Sequence, residues 1–239
     1  MIPYIIINGV SSKNINGLLI QSLPPISKPK IRTSIEEIDG RDGDVVTTLG
    51  YAAYDKAITI GLKGDYNVDD VIEFFNTSGK ITFSNEIDKY YKFAIYDTID
   101  FNRLIRFKTA NINIHVQPFK YSLDEPPIVY NNIREQTIAN ISVRNTGNIY
   151  SRPKITIQGS NTITVYLNNT QIFSIDLSAA GETIVIDGAE MNATDGAGNY
   201  LNRQVTGDYE NFKLPTGVNT LRVTGTFTSF TLENYSRWI

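Results

Sequence analysis

Short runs rich in Ile, Val, Thr, Tyr and Phe, interrupted about every 8 to 12 residues by Gly, Asn, Asp or Pro, occupy most of the chain. Such spacing leaves room for strands and turns but not for long helices, so the fold is expected to be all-β, of sandwich or barrel type. The clearest runs cover residues 57–62, 80–83, 91–95 and 104–116. In the last of these, Ile112, Ile114 and Val116 alternate with Asn111, Asn113 and His115, which sends one face to a core and the other to water. Residues 4–7 read as a first strand. One segment departs from the pattern: after Asn67, a capping residue, Val68, Val71, Ile72 and Phe75 fall at i, i+3, i+4 and i+7, and Gly79 is expected to close a single short helix. Its carboxylates, Asp69, Asp70 and Glu73, suit the positive end of a helix dipole better than a catalytic role.

The paired prolines Pro126 and Pro127 stop helix and sheet alike, and they divide the sequence into an N-terminal β domain, residues 1–130, and a second β domain, residues 131–239. In the second part Ile163, Val165 and Leu167 alternate up to Asn168-Asn169, and Phe173, Ile175 and Leu177 alternate on the return. An Asn-Asn turn tolerates positive φ, so a hairpin is expected there. Further period-2 runs at Ile184 and Ile186, Leu221 and Val223, and Phe230 and Leu232 surround a Gly/Asn-rich loop over residues 187–207. Together they are expected to form an antiparallel sandwich of jelly-roll type.

Charge and composition exclude several kinds of chemistry. A formal net charge of −3 gives no basic field for holding phosphates. No cysteine is present, which removes disulfides, thiolate metal sites and thiol nucleophiles. The apolar opening stops at Asn8, too short for a signal or membrane segment, so synthesis in the cytoplasm is expected. His115 is the only histidine, on the polar side of its strand, so any Ser-His-Asp arrangement would have to use it. Asp39-Gly-Arg-Asp-Gly-Asp carries three carboxylates but lacks the register and closing Glu of a calcium loop, and it reads as a tight turn. Residues 192–199 read as a mobile loop rather than a metal site. Tyr90, Tyr91, Tyr96, Tyr121, Tyr130, Tyr150, Tyr200 and Tyr235 could be core, sugar-stacking or subunit-contact residues. No cofactor, metal or active site is expected.

Several segments taken in order resemble the distal tail (Dit) proteins of long-tailed phages. They are Asn8-Gly9, the arm from Pro24 to Ile38 leading into Asp39-Gly40-Arg41-Asp42-Gly43, Leu49-Gly50-Tyr51, residues 79–83 and Pro118-Phe119. In the second part they are Asn145-Thr146-Gly147, residues 153–159 and residues 214–219. The resemblance implies an N-terminal β-sandwich or split-barrel domain with one short helix and a C-terminal galectin-like jelly-roll sandwich, in a minimal form without inserted carbohydrate-binding modules. It further implies a structural virion protein at the tail tip or baseplate. There a homohexamer would join the tail tube protein to the tail-associated lysin or fibre protein, with receptor-binding proteins as further partners. DNA would pass through the channel without specific binding, and no membrane is involved. A carbohydrate-binding adhesion module of a baseplate or cell-wall-binding protein is the alternative.

The segment from Ile31 to Asp44 combines a poor local hairpin pattern with a charge string and two glycines. An extended arm that pairs outside its own domain is expected, with Ile38, Asp39, Gly40, Arg41, Asp42 and Gly43 at a subunit interface. Arg41 would supply charge-assisted hydrogen bonds, and Gly40 and Gly43 unusual backbone angles. A self-contained hairpin with solvated charges is the alternative.

Overall fold

The computed structural model describes residues 2–131 and 137–239, apart from the side chains of residues 137–140, 179 and 180. Residues 132–136, near the start of the expected second domain, lie outside the described residues. The fold is all-β with two short helices, and the chain divides into two compact units, one running to Leu123 and the other spanning Asp124–Trp238.

The first unit contains β1 (Ile5–Ile7), β2 (Val10–Ser11), β3 (Leu18–Ser22), β4 (Ile31–Glu37), β5 (Asp44–Tyr51), β6 (Tyr54–Leu62), α1 (Val68–Phe75), β7 (Ser78–Phe83), β8 (Lys89–Ala94), α2 (Phe101–Phe107) and β9 (Thr109–Ser122). Seven of these strands form one curled antiparallel sheet in the order β2-β1-β7-β8-β9-β6-β3. Period-2 alternation sets its register: Ile58 faces Ile112 across β6 and β9, and both are buried together with Ile60, Ile114 and Val116. The opposite face of β9 shows Asn111 and Asn113 to solvent.

Asn67 caps α1 by accepting the Asp69 amide at 3.0 Å, and Val71, Phe74 and Phe75 are buried beneath it. The helix ends at Asn76 rather than at Gly79, which instead lies inside β7 with φ +136°. Any side chain at Gly79 would run into the Asn8 amide, whose oxygen lies 2.3 Å from where a Cβ would sit.

The run expected as a strand over 104–116 is two elements. Asp100 accepts the Arg103 amide at 2.9 Å and starts α2, Leu104 is its buried residue, and Lys108 at φ +57° ends it. Only then does β9 begin, and it continues through Pro118-Phe119 to Ser122.

The second unit contains β10 (Ile128–Asn131), β11 (Thr137–Asn145), β12 (Lys154–Leu167), β13 (Thr170–Asp187), β14 (Asn192–Thr194), β15 (Val205–Gly207) and β16 (Gly217–Glu233). The order is β10-β16-β12-β13-β14, with β11 also on β16 and β15 also on β13. The long strands β12, β13 and β16 change partners along their length at bulges. Gly159 and Gly225 make the crossing possible: a Cβ on either would stand 2.6 Å from a carbonyl oxygen of the facing strand, Thr226 and Thr162 respectively.

The hairpin at Asn168-Asn169 has both residues at positive φ, +49° and +68°. Ile163, Val165 and Leu167 on one side and Phe173, Ile175 and Leu177 on the other are buried. They share one core with Phe212, Leu214, Phe227 and Phe230. Residues 187–207 are more ordered than a bare loop. They hold β14 and the whole of β15, and Asp195 Oδ1 accepts the amides of Ala197 and Asn199, both at 2.8 Å. Among the described residues no helix is long and apolar enough to cross a membrane.

Candidate functional site

Strands β4 and β5 stand outside the main sheet and pair only with each other, from Ile31 opposite Tyr51 to Glu37 opposite Asp44. The segment expected to seek its partner outside the domain is therefore a hairpin, closed by its own return strand. The poor pattern that hid it has a physical cause: with water on both faces, no alternation is demanded. Ile35 and Val46, directly opposite one another, are 60% and 59% exposed, and Leu49 and Ile38 are exposed with them.

At the tip Gly40 and Gly43 take φ of +82° and +76°, angles that cost a residue with a Cβ, and the Arg41 amide donates to Ile38 O at 3.1 Å. Five carboxylates, on Glu36, Glu37, Asp39, Asp42 and Asp44, fall within five residues of Arg41 in the sequence. Among the described residues none of the six side chains has an ion pair or a side-chain hydrogen bond. The acids at 39, 42 and 44 belong to no metal-holding cluster among the described residues. Ile38, Asp39, Gly40, Arg41, Asp42 and Gly43 thus come together as an exposed tip. A two-stranded ribbon of this kind is marginal alone in water, and it carries two free edges besides its apolar side chains.

The root of the hairpin is held differently from its tip. Residues 23–30 form no strand; three of their carbonyls accept from side chains, and that of Lys30 accepts the Ala52 amide at 2.8 Å. Lys56 Nζ donates to Pro25 O at 2.9 Å, Tyr54 Oη to Ser27 O at 3.3 Å and Asn85 Nδ2 to Pro24 O at 3.3 Å. Lys56 is 3% exposed, with its ammonium 5.0 Å from the centre of the Tyr91 ring. Burial lowers its pKa, opposed by the Glu86 charge. Glu86 also accepts Lys120 Nζ at 2.6 Å and Tyr91 Oη at 3.0 Å, and the side chains of Lys120 and Glu86 are only 10% and 11% exposed. Desolvation, followed by the Tyr54 and Glu86 neighbours, pushes the Tyr91 hydroxyl far up.

Sequence reasoning missed this cluster although a signal existed. Lys56 shares the inward parity of Ile58 and Ile60, and Lys120 that of Ile114 and Val116. A lysine at a core-facing position needs a buried partner.

His115 is half-buried on β9. Its Nδ1 lies 2.7 Å from Asp55 Oδ1 and its ring 5.5 Å from that of Tyr96, beside an open cavity of about 140 Å³. Among the described residues no Ser or Thr hydroxyl hydrogen-bonds to it, so the pair lacks the nucleophile of a triad. Of the tyrosines singled out above, Tyr90 and Tyr91 are core residues, while Tyr96 and Tyr200 are 78% and 74% exposed.

No protein-family model matches the chain, and no curated protein does. Among solved structures, the fold is shared with proteins of phage adsorption machinery. The SPP1 Dit (gp 19.1) protein, described as a paradigm of the hub adsorption apparatus in phages infecting Gram-positive bacteria, matches with a TM-score of 0.65 and 19% identity. That match covers 98% of this chain and 99% of that one. The phage P2 baseplate in its activated conformation with Ca matches more weakly, with a TM-score of 0.46 and 10% identity over 97% of this chain and 98% of that one. At 19% identity the SPP1 likeness is one of fold, and it extends through both units.

Proposed function

We propose that this chain is a structural virion protein, a distal tail hub whose copies close into a ring at the tip of a phage tail. The observation that carries the reading is the end-to-end match in fold with the SPP1 hub protein, which leaves neither chain with an unmatched domain. In this reading six copies form the ring, the tail tube protein stacks on one side and the tail-associated lysin or fibre protein on the other. The second unit faces outward toward receptor-binding proteins. A six-membered ring would carry a formal charge of about −18, from −3 per chain, which on average repels phosphate and suits a conduit for DNA that must not retain it.

The hairpin tip supplies the subunit contact. Identical chains joined by heterologous contacts close into rings, and a ribbon with exposed aliphatics and unpaired charges is suited to such a contact. Native mass spectrometry tests the assembly: a closed oligomer, six-fold, is expected, and a strict monomer in the presence of the tail partners would sink the reading. Replacing Arg41→Glu tests the tip. Thermal unfolding of the subunit should stay within about 0.5 kcal/mol of wild type, since the Arg41 side chain has no partner among the described residues, while ring formation is lost. Rings at the wild-type concentration would remove Arg41 from the contact.

The carbohydrate-binding alternative draws on the exposed ring of Tyr200. Retention on immobilised glycans that is abolished by Tyr200→Ala would favour it.

A further inference from the structure

Helix α2 carries a surface complementary to the hairpin tip. Only Leu104 of its residues is fully buried. Ile105 and Phe107 are 40% and 61% exposed beside the exposed Arg103 and Arg106. An open recess of about 630 Å³ lies here, lined by Asp100, Asn102, Arg103, Arg106, Phe107 and Thr109. Every charged group facing it is accounted for. Asp100 is engaged as the helix cap, Lys108 hydrogen-bonds to Tyr66, and neither arginine has an acidic partner among the described residues, Arg106 lying 5.2 Å from the Phe107 ring.

The tip has the converse composition: an excess of unpaired carboxylates beside exposed aliphatic side chains at Ile35, Ile38, Val46 and Leu49. Both surfaces stay exposed within one chain, so neither covers the other there. We infer that the hairpin tip of one copy docks into the α2 recess of a second copy, its carboxylates meeting Arg103 and Arg106 and its aliphatic side chains covering Ile105 and Phe107.

Charge complementarity fixes the choice of occupant: a surface that pairs free arginines with an exposed aromatic suits an acidic, aliphatic partner, and this chain carries one. The other basic patch of this unit differs. Lys80 and Lys92 already lie over the rings of Tyr90 and Tyr121, and the Tyr96 ring beside them packs against His115. Tip and recess are different surfaces, so the contact is heterologous and repeats from copy to copy until it closes. The inference rests on the proposal that copies of this chain assemble through the hairpin, and it names the receiving surface.

The absence of cysteine allows a direct test. Copies carrying Ile38→Cys are mixed with copies carrying Phe107→Cys and treated with a short bis-maleimide, which tolerates an offset of a few ångströms. A covalent pair should form roughly tenfold faster in the mixture than with either variant alone, and a chain bearing both substitutions should give a ladder that stops at the size of the closed assembly. Separately, Arg103→Glu with Arg106→Glu should raise the concentration needed for assembly at least about tenfold at ~0.1 M salt without altering thermal unfolding. Adding Asp39→Lys and Asp42→Lys to the same chain should restore it.

Assembly without this cross-link, or faster coupling of Ile38→Cys to a Tyr96→Cys copy, overturns the docking site while leaving the ring intact. Failure of the charge swap to restore assembly overturns it as well. A chain that stays monomeric at every concentration overturns both the docking site and the ring.

Discussion

Replacing Glu86→Gln keeps the size of the side chain and removes a carboxylate whose charge acts on both Lys56 and Lys120 at the hairpin root. Glu86 pairs with Lys120 at 2.6 Å and also raises the pKa of the buried Lys56. Without it two mutually repelling ammonium groups, each close to nine-tenths buried or more, lose the carboxylate between them, and Asp88 still acts on Lys120. Removing one member of such a pair costs about 3–5 kcal/mol when fully buried. The residual exposure at this site and the amide oxygen that Gln retains bring the expectation down to about 2–4 kcal/mol at pH 7. On the scale of a unit this size, that lowers its melting temperature by roughly 10–15 °C.

The loss should shrink as pH rises. Lys56 has a folded pKa below its unfolded value near ~10.4, so between the two the unfolded chain binds more protons and stability climbs with pH. The variant, lacking the Glu86 charge that holds the Lys56 pKa up, begins this climb at lower pH. Scanning calorimetry from pH 7 to about pH 10 checks both parts. A loss under ~0.5 kcal/mol, or one that does not change with pH, would refute the assignment of these three side chains as a mutually dependent set.

A fragment spanning residues 124–239 should fold by itself, since it holds a complete core. One starting at Asn131 should melt lower by about 2–3 kcal/mol, because Glu125 accepts the Ser236 amide and hydroxyl, both at 2.6 Å, and Asn234 Nδ2 at 2.8 Å. Circular dichroism melts of the two fragments decide it, and equal stability would remove Glu125 from the fold's requirements. Replacing Gly225→Ala, at φ +128° with a carbonyl 2.6 Å from the new methyl, should cost the longer fragment about 2–4 kcal/mol in urea titrations, whereas Gly198→Ala, with open space around it, should cost it about 1–2 kcal/mol.

Where burial on one face dictates alternation, the sequence was enough: residues 111–116 and the hairpin around Asn168-Asn169 lie where period-2 patterning places them. It misled where local and apolar signals compete. Leu104, Ile105 and Phe107 read as the start of a strand, yet Asp100 can cap a turn of helix and Lys108 can end it in the left-handed region, so α2 forms. The self-pairing of β4 and β5 was hidden for the opposite reason, since a ribbon wet on both faces leaves no hydrophobic trace. The glycines of the tip were legible as turn residues, but the unpaired state of the charges beside them depends on what the rest of the chain does not bring near. The register shifts between β12 and β16 depend on Gly159 meeting Thr226 and Gly225 meeting Thr162 across strands, a coincidence of distant positions that no local pattern announces.

The two legs of the hairpin differ in stiffness. β5 ends at Tyr51 and β6, a strand in the interior of the main sheet, starts at Tyr54, so a pull on the tip passes along that leg almost directly into a hydrogen-bonded ladder. The other leg descends through residues 23–30, tied down by the Lys56, Tyr54 and Asn85 side chains rather than by a neighbouring strand. Under load the first leg behaves as a strut and the second as a tether, and yielding begins at the three side-chain contacts.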